Sequence, residues 1–316
     1  MNKIRDKREE LIIAITGLVN ASEPVLQIKT LSLMLLGATC ALHDIPNPTM
    51  FLKGFVIVGP LLWGGLYILN DVTDMVPDKL HPIKKNRPLP SGKASPKTFM
   101  IVAVILAGSA VILSLKVNSL FLACVILTII KQMLYTLPPF RFKERFLVDI
   151  LSGSVFNSTL RFLAGWFLFS KSFNFPLLLI ISCEGLQVSG FLVNRLYSNY
   201  SIDLERMLGY KSTITQVHPK VFRAIIIFLA ILSLVSFLLL ALNSLFMVSP
   251  EHLGVLPLQS LSVFVILAVV APLFLFSSLS KAESFSESDL KRYNDLPVFL
   301  VFLGSLFLAA IVKVYG

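Results

Sequence analysis

Three aspartates stand at the end of an apolar run, in the segment NDVTDMVPDKLHPIKKNRPLPSG at residues 70 to 92. On a helix that continues through them, Asp71, Asp74 and Asp78 occupy positions i, i+3 and i+7, which at about 100° per residue puts all three on one face. Carboxylates this close repel one another, and a divalent cation among them removes the cost. Oxygen-only sites suit magnesium, which commonly shares its shell with substrate phosphates. Lys79, Lys84, Lys85 and Arg87 follow at once, as joint binding of a metal and a diphosphate would require. On charge and spacing alone the segment reads either as such a site or as a solvated loop of mixed charge. Pro77 complicates the helix, because it removes one backbone hydrogen bond before Asp78.

The elements that position this cluster are apolar. The 316 residues are 55% hydrophobic and 15% charged, and the mean hydropathy is +0.80, beyond what a soluble domain with a polar surface allows. The expectation is a single all-α transmembrane domain over residues 1–316. Apolar runs predict about nine membrane-spanning helices near 24–43, 51–70, 99–116, 118–136, 146–169, 175–193, 222–244, 255–278 and 296–314. The charged start MNKIRDKREE lacks a small-residue cleavage site, so no removable signal peptide is expected. Cys40, Cys124 and Cys183 fall inside spans without metal or pairing spacing and read as packing residues.

The net charge of +10 is best read by position. Nine spans put the N-terminus and the polar loops 71–98, 137–146, 194–221 and 279–295 on one side, together with nearly all the basic residues. Only Lys53, Lys116, Lys171 and Lys313 fall on the other side, and Lys29, Lys131 and Arg161 lie within spans. The positive-inside rule makes the loop-rich side cytoplasmic, with membrane lipids as its partner and no need for nucleic acid. Function is expected on that face. Arg161 and Glu184, deep in the fifth and sixth spans, are expected to face a cavity or each other.

These residues resemble the UbiA superfamily of intramembrane prenyltransferases. The family's first aspartate motif, NDxxDxxxD followed by an RPxxSG-like turn, is matched by Asn70, Asp71, Asp74, Asp78, Arg87, Pro88, Ser91 and Gly92. The segment YTLPPFRFKER is similar to the family's tyrosine-proline-basic segment and carries Tyr135, Pro138, Arg141 and Lys143. The second family motif, approximately DxxYxxxDxxxDxxxGxKST, aligns with NRLYSNYSIDLERMLGYKST. Tyr197 and Lys211 are kept there, but the acids fall on Asn194, Ser201 and Glu205. Asp203 would point away from that face on a regular helix. Arg195, Arg206 and Lys211 shift this half towards direct phosphate contact.

The resemblance implies a helical bundle with a central cavity open to the cytoplasmic side, and magnesium-dependent prenyl transfer from a prenyl diphosphate to a lipophilic or aromatic acceptor. Asp71, Asp74 and Asp78 would hold Mg2+, with Glu205 contributing from the other half. Asn70, Lys84, Arg87, Tyr135, Arg141, Lys143, Arg161, Asn194, Arg195, Tyr197 and Lys211 would bind substrate. A branch of the superfamily that transfers phosphoribosyl from phosphoribosyl diphosphate to a polyprenyl phosphate has a first motif resembling NDVxDxxxDxxHPxKxxRP, which residues 70 to 88 also fit. The reduced second motif leaves a third reading open, a non-catalytic lipid-binding or scaffold protein. A transporter fits less well, since its polar groups would lie near the midplane.

Overall fold

The computed structural model describes residues 2–42, 44–81, 84–197, 199–245 and 303–304. It is all-helical; among the described residues the only β-type pairing is an isolated bridge between Arg145 and Lys211. Helices α1 (Asn2–Ala21) and α2 (Gln27–Leu42) are joined by a turn at Glu23, whose φ is 49°. Apolar sequence continues through that turn, so the stretch suited to crossing a membrane is Leu11–Leu42 and starts well before residue 24.

The second span, Pro48–Thr73, is three joined pieces. Asn47 caps α3 (Pro48–Val56) by accepting from the Met50 amide at 3.1 Å. Pro60 then forbids a regular turn, and the chain widens to a π-helix over Ile57–Trp63 before α4 (Gly64–Thr73). A short α5 (Met75–Leu80) follows. Ser95 and Asn118 cap α6 (Pro96–Ser114) and α7 (Ser119–Thr136), the third and fourth spans. The fifth expected span is broken into α8 (Val148–Ile150), a π-helical stretch over Leu151–Val155 and α9 (Phe156–Phe169). After α10 (Leu177–Tyr197) come α11 (Asn199–Met207), α12 (Thr213–Gln216) and α13 (Pro219–Leu245). The runs at 255–278 and 296–314 and the loop 279–295 lie outside the described residues, apart from 303–304.

Two glycines let α2 and α9 pack backbone to backbone. A Cβ at Gly37 would collide with the Phe162 carbonyl oxygen, and one at Gly165 with that of Met34. Around this seam Leu36, Leu62, Trp63, Phe121 and Phe162 form the main core, while α10 and α13 close a second one over Val188, Leu192, Phe222 and Ile226. The outer faces are apolar too. Val104, Ile112 and Phe228 are each more than 60% exposed, a surface that suits lipid and not water. Among the described residues five helical stretches are long and apolar enough to cross a membrane, and the protein is an integral membrane protein. Cys40, Cys124 and Cys183 are free and buried.

Candidate active site

The helix bearing the aspartates does not run on. Pro77 has no amide hydrogen to give the Thr73 carbonyl four residues earlier, so α4 ends at Thr73 and Asp74 takes φ −94° and ψ 3° before α5 begins. Thr73 folds back on the Asn70 carbonyl at 2.9 Å and meets Thr136 on α7 at 3.0 Å. Thr136 also donates to Asn70 Oδ1 at 2.8 Å, and Asn70 Nδ2 donates to Asp74 Oδ2 at 3.1 Å. The three aspartates are divided between two cavities. Asn70, Asp74 and Asp78 line one cavity, with Pro77 and His81. Asp71 lines a separate cavity, where it accepts from Arg87 at 3.0 Å and Arg87 lies 3.7 Å from Glu23, yet it still acts electrostatically on Asp78 and Lys84.

The opposite wall of the first cavity, which holds about 250 Å³, comes from three other segments. Lys143 forms an ion pair with Asp74 and donates to Thr136 at 3.3 Å. Burial pulls its ammonium below the ordinary lysine value, an effect that Asp74 partly offsets. Arg141, held at φ 36°, bonds Glu144 and Tyr210 and lies 3.8 Å from Asp74. Lys84 approaches Asp78 at 3.4 Å. From the α10–α12 side Arg195 grips Glu205 with both terminal nitrogens, the second at 2.7 Å, and Ser212 Oγ donates to the same carboxylate. Tyr210 closes the rim, and burial pushes its hydroxyl up to about 12.

A buried carboxylate holds this second half in place. Asp149 on α8 accepts from the Thr213 amide at 2.9 Å and from its hydroxyl, while Leu147 N donates to Thr213 Oγ1 at 2.7 Å. The Lys211 amide joins the Glu144 carbonyl at 3.0 Å, and Gly209 supplies the turn at φ 73°. The loop after α7 and the turn before α12 are thereby stitched side by side.

The cavity thus unites Asn70, Asp74, Asp78, Lys84, Tyr135, Lys143, Arg195 and Glu205 from the expected set. Arg87 leaves with Asp71, Lys211 is exposed outside the lining, and Arg141 stands just behind the wall. Arg161 and Glu184 form no ion pair among the described residues. Arg161 donates to Thr30 and Tyr67, each at 3.0 Å, and Glu184 accepts from Thr159 at 2.9 Å. The two act on each other electrostatically without touching, and the second Glu184 carboxylate oxygen is buried with no hydrogen-bond partner. Asp203 has an 80% exposed side chain beside Arg206, clear of the site. The side chains of Asn194 and Tyr197 lie outside the described residues. Phe191, Leu204 and Leu208 complete the lining unannounced by any motif, whereas Tyr210 sits between the two motif residues Gly209 and Lys211.

Among the described residues no three acidic, histidine or cysteine side chains are gathered as a ready metal cage. The donor chemistry nevertheless fits magnesium: Asn70, Asp74, Asp78 and Glu205 bring one amide and three carboxylate groups to the lining of one cavity. Magnesium characteristically takes few protein ligands and completes its shell with water and substrate phosphates.

A model of the UbiA prenyltransferase family matches residues 30–306. No curated protein matches the chain. Among solved structures, a UbiA homolog from Archaeoglobus fulgidus bound to GPP and Mg2+ superposes with a TM-score of 0.71 at 15% identity, over 93% of this chain and 99% of that one. A structure of digeranylgeranylglyceryl phosphate synthase gives 0.68 at 17% identity, over 96% and 99% of the two chains. The apo UbiA homolog from Aeropyrum pernix K1 gives 0.66 at 16%, over 89% and 97%.

Proposed function

The chain belongs to the UbiA prenyltransferase family, and from that premise we propose that it transfers a prenyl group from a prenyl diphosphate to an acceptor within the membrane, with magnesium. The observation that carries the reading is the single cavity joining Asp74 and Asp78 of the first polar helix end to Arg195 and Glu205 of the second. The A. fulgidus homolog was solved with GPP and Mg2+, a prenyl donor and metal of the kind proposed. Asp74 and Asp78, with the Asn70 amide and Glu205 opposite, would hold the ion. When bound, magnesium supplies positive charge against the diphosphate, which makes it a better leaving group.

The chain's own residues do the rest. Lys143, Lys84 and Arg195 present ammonium and guanidinium groups to the phosphate oxygens from three sides. Asn70, fixed by Thr136, sets the direction of Asp74. The prenyl tail enters the apolar bundle, where water is excluded from the developing allylic cation, and the Tyr135 and Phe191 rings at the wall offer their faces to it. On the positive-inside argument this mouth opens to the cytoplasm, and so does the N-terminus.

A second reading replaces the donor by phosphoribosyl diphosphate and the acceptor by a polyprenyl phosphate. It is favoured by one feature of the second helix end, where Arg195 closes on the lone acid Glu205 and offers basic character to a phosphorylated sugar. Purified protein in lipid nanodiscs, given radiolabelled geranyl diphosphate or phosphoribosyl diphosphate with magnesium and a membrane lipid extract, separates them. Lipid-soluble label from the prenyl donor alone is expected. Label from the sugar donor alone would transfer the assignment to the second reading. No turnover and no magnesium-dependent binding of either would favour a non-catalytic lipid-binding role.

A further inference from the structure

The cavity that Asp71 lines, about 510 Å³, has no part in the transfer proposed above. It opens where the turn between α1 and α2 meets the loop that follows α5. Gly17 lets α1 form one wall, since a Cβ there would come within 3.0 Å of Pro88 and 3.2 Å of Phe99. The charges come from three segments: Glu23 from the turn, Asp71 from the end of α4, and Arg87 from the loop. Arg87 stands between the two acids, 3.0 Å from Asp71 Oδ1 and 3.7 Å from Glu23. Among the described residues, no group donates a hydrogen bond to the second Asp71 oxygen or to the Glu23 carboxylate.

Two features select the occupant. The first is charge. Two carboxylates against one guanidinium leave an excess of negative charge, which repels a free anion, while Arg87 between the acids repels a metal ion. A molecule that carries both signs satisfies both halves. The second feature is a lipid-facing rim. Val25 lines the cavity and is more than half exposed, as are Leu11, Ile12, Ile15 and Val19 along α1, and Leu89 and Phe99 add an apolar floor. An apolar helix surface of this kind suits acyl chains beside a polar pocket.

We propose that this cavity seats the headgroup of a phospholipid bearing a primary ammonium, phosphatidylethanolamine. Its ammonium donates to Glu23 and to the second Asp71 oxygen, its phosphate accepts from Arg87, and its acyl chains lie along α1. A choline headgroup has the same charges but no N–H to give. A glycerol headgroup keeps the anion and lacks the cation. The assignment rests on this geometry and stands apart from the transfer reaction.

The full chain is placed in nanodiscs of equal parts phosphatidylethanolamine, phosphatidylcholine and phosphatidylglycerol, and the lipids it retains on release are weighed by native mass spectrometry. The parent should retain phosphatidylethanolamine over phosphatidylcholine by about fivefold or more. Glu23 sits in the turn with its side chain 37% exposed, so its replacement spares the core. Glu23→Gln should lower the preference at least about threefold, and Glu23→Lys should turn it towards phosphatidylglycerol. Unchanged melting temperatures confirm the fold of both variants, and the parent's own preference tests the site without either. Equal retention of ethanolamine and choline lipids by the parent, a parent preference for phosphatidylglycerol, or a parental preference kept by either variant would overturn the site.

Discussion

Asp71 and Asp74 are three residues apart and belong to the same motif, yet they meet different groups, so their asparagine variants should differ sharply. Asp74 pairs with Lys143, lies 3.8 Å from Arg141 and accepts from Asn70 at 3.1 Å. Its side chain is 19% exposed and that of Lys143 11%. Unit charges about 4 Å apart interact by roughly 4 kcal/mol at an effective dielectric near 20. Asp74→Asn forfeits that attraction and the proposed metal ligand together, and turnover should fall about a hundred- to a thousandfold, the usual loss when one preorganised electrostatic group is removed. Asp71 faces Arg87, whose side chain is 39% exposed and therefore screened, so the pair contributes about 1 kcal/mol or less. Asp71→Asn should keep turnover within about threefold of the parent and leave the magnesium dependence unchanged. The assay is initial prenyl transfer in nanodiscs across a magnesium titration, with thermal melting as the fold control. Equal loss in both variants at unchanged melting would refute the division of the motif, as would near-normal turnover in Asp74→Asn.

Chelation by EDTA should abolish prenyl transfer and added magnesium restore it; transfer that persists in EDTA removes the metal from the reading. Glu205→Gln breaks the two-pronged bond to Arg195, and should raise the KM for donor by about tenfold, in line with loss of a charged hydrogen-bonded partner. An unchanged KM would place the second helix end outside the donor site. Thr213→Val removes a hydroxyl bonded to the buried Asp149 and should lower stability by about 1–3 kcal/mol, seen as a lower melting temperature. Gly165→Ala drives a methyl into the Met34 carbonyl and should cost about 1–3 kcal/mol or more by forcing α2 from α9, with the same readout.

The apolar runs made the spanning helices legible, because lipid demands long unbroken hydrophobicity and the caps at Asn47, Ser95 and Asn118 mark where three of them start. Periodicity failed at one residue. An ideal helix extended through Pro77 would align the three aspartates, whereas the missing hydrogen bond to Thr73 ends α4 there and Asp71 lines a different cavity from Asp74 and Asp78. Pro60 likewise widens a span that reads as regular. The pairings across the cavity had no local signature. Lys143 meets Asp74 across 69 positions and Thr213 meets Asp149 across 64, and only tertiary packing decides such partners. Glu205 was legible as the surviving acid of its motif, but its capture by Arg195 was not, since ten positions separate them across the α10–α11 boundary.

Charge balance at the cavity constrains how substrate can enter. Four carboxylates, Asp74, Asp78, Asp149 and Glu205, share the lining with His81 and three ammonium or guanidinium groups, Lys84, Lys143 and Arg195. These three groups are already engaged: Lys143 with Asp74, Lys84 with Asp78, Arg195 with Glu205. A multiply charged diphosphate arriving alone would meet more negative than positive charge, and would have to compete with these carboxylates for the same ammonium and guanidinium groups. With a metal ion arriving beside it the balance would reverse, since Asp74 and Asp78 would turn to the ion and leave Lys143 and Lys84 free for the phosphates. Metal and donor affinity should therefore be coupled, each strengthening the other by the same factor. Donor binding measured at two magnesium concentrations, and magnesium binding measured with and without donor, should give equal coupling; unequal or absent coupling would mean that the carboxylates at this mouth do not exchange their partners when substrate binds.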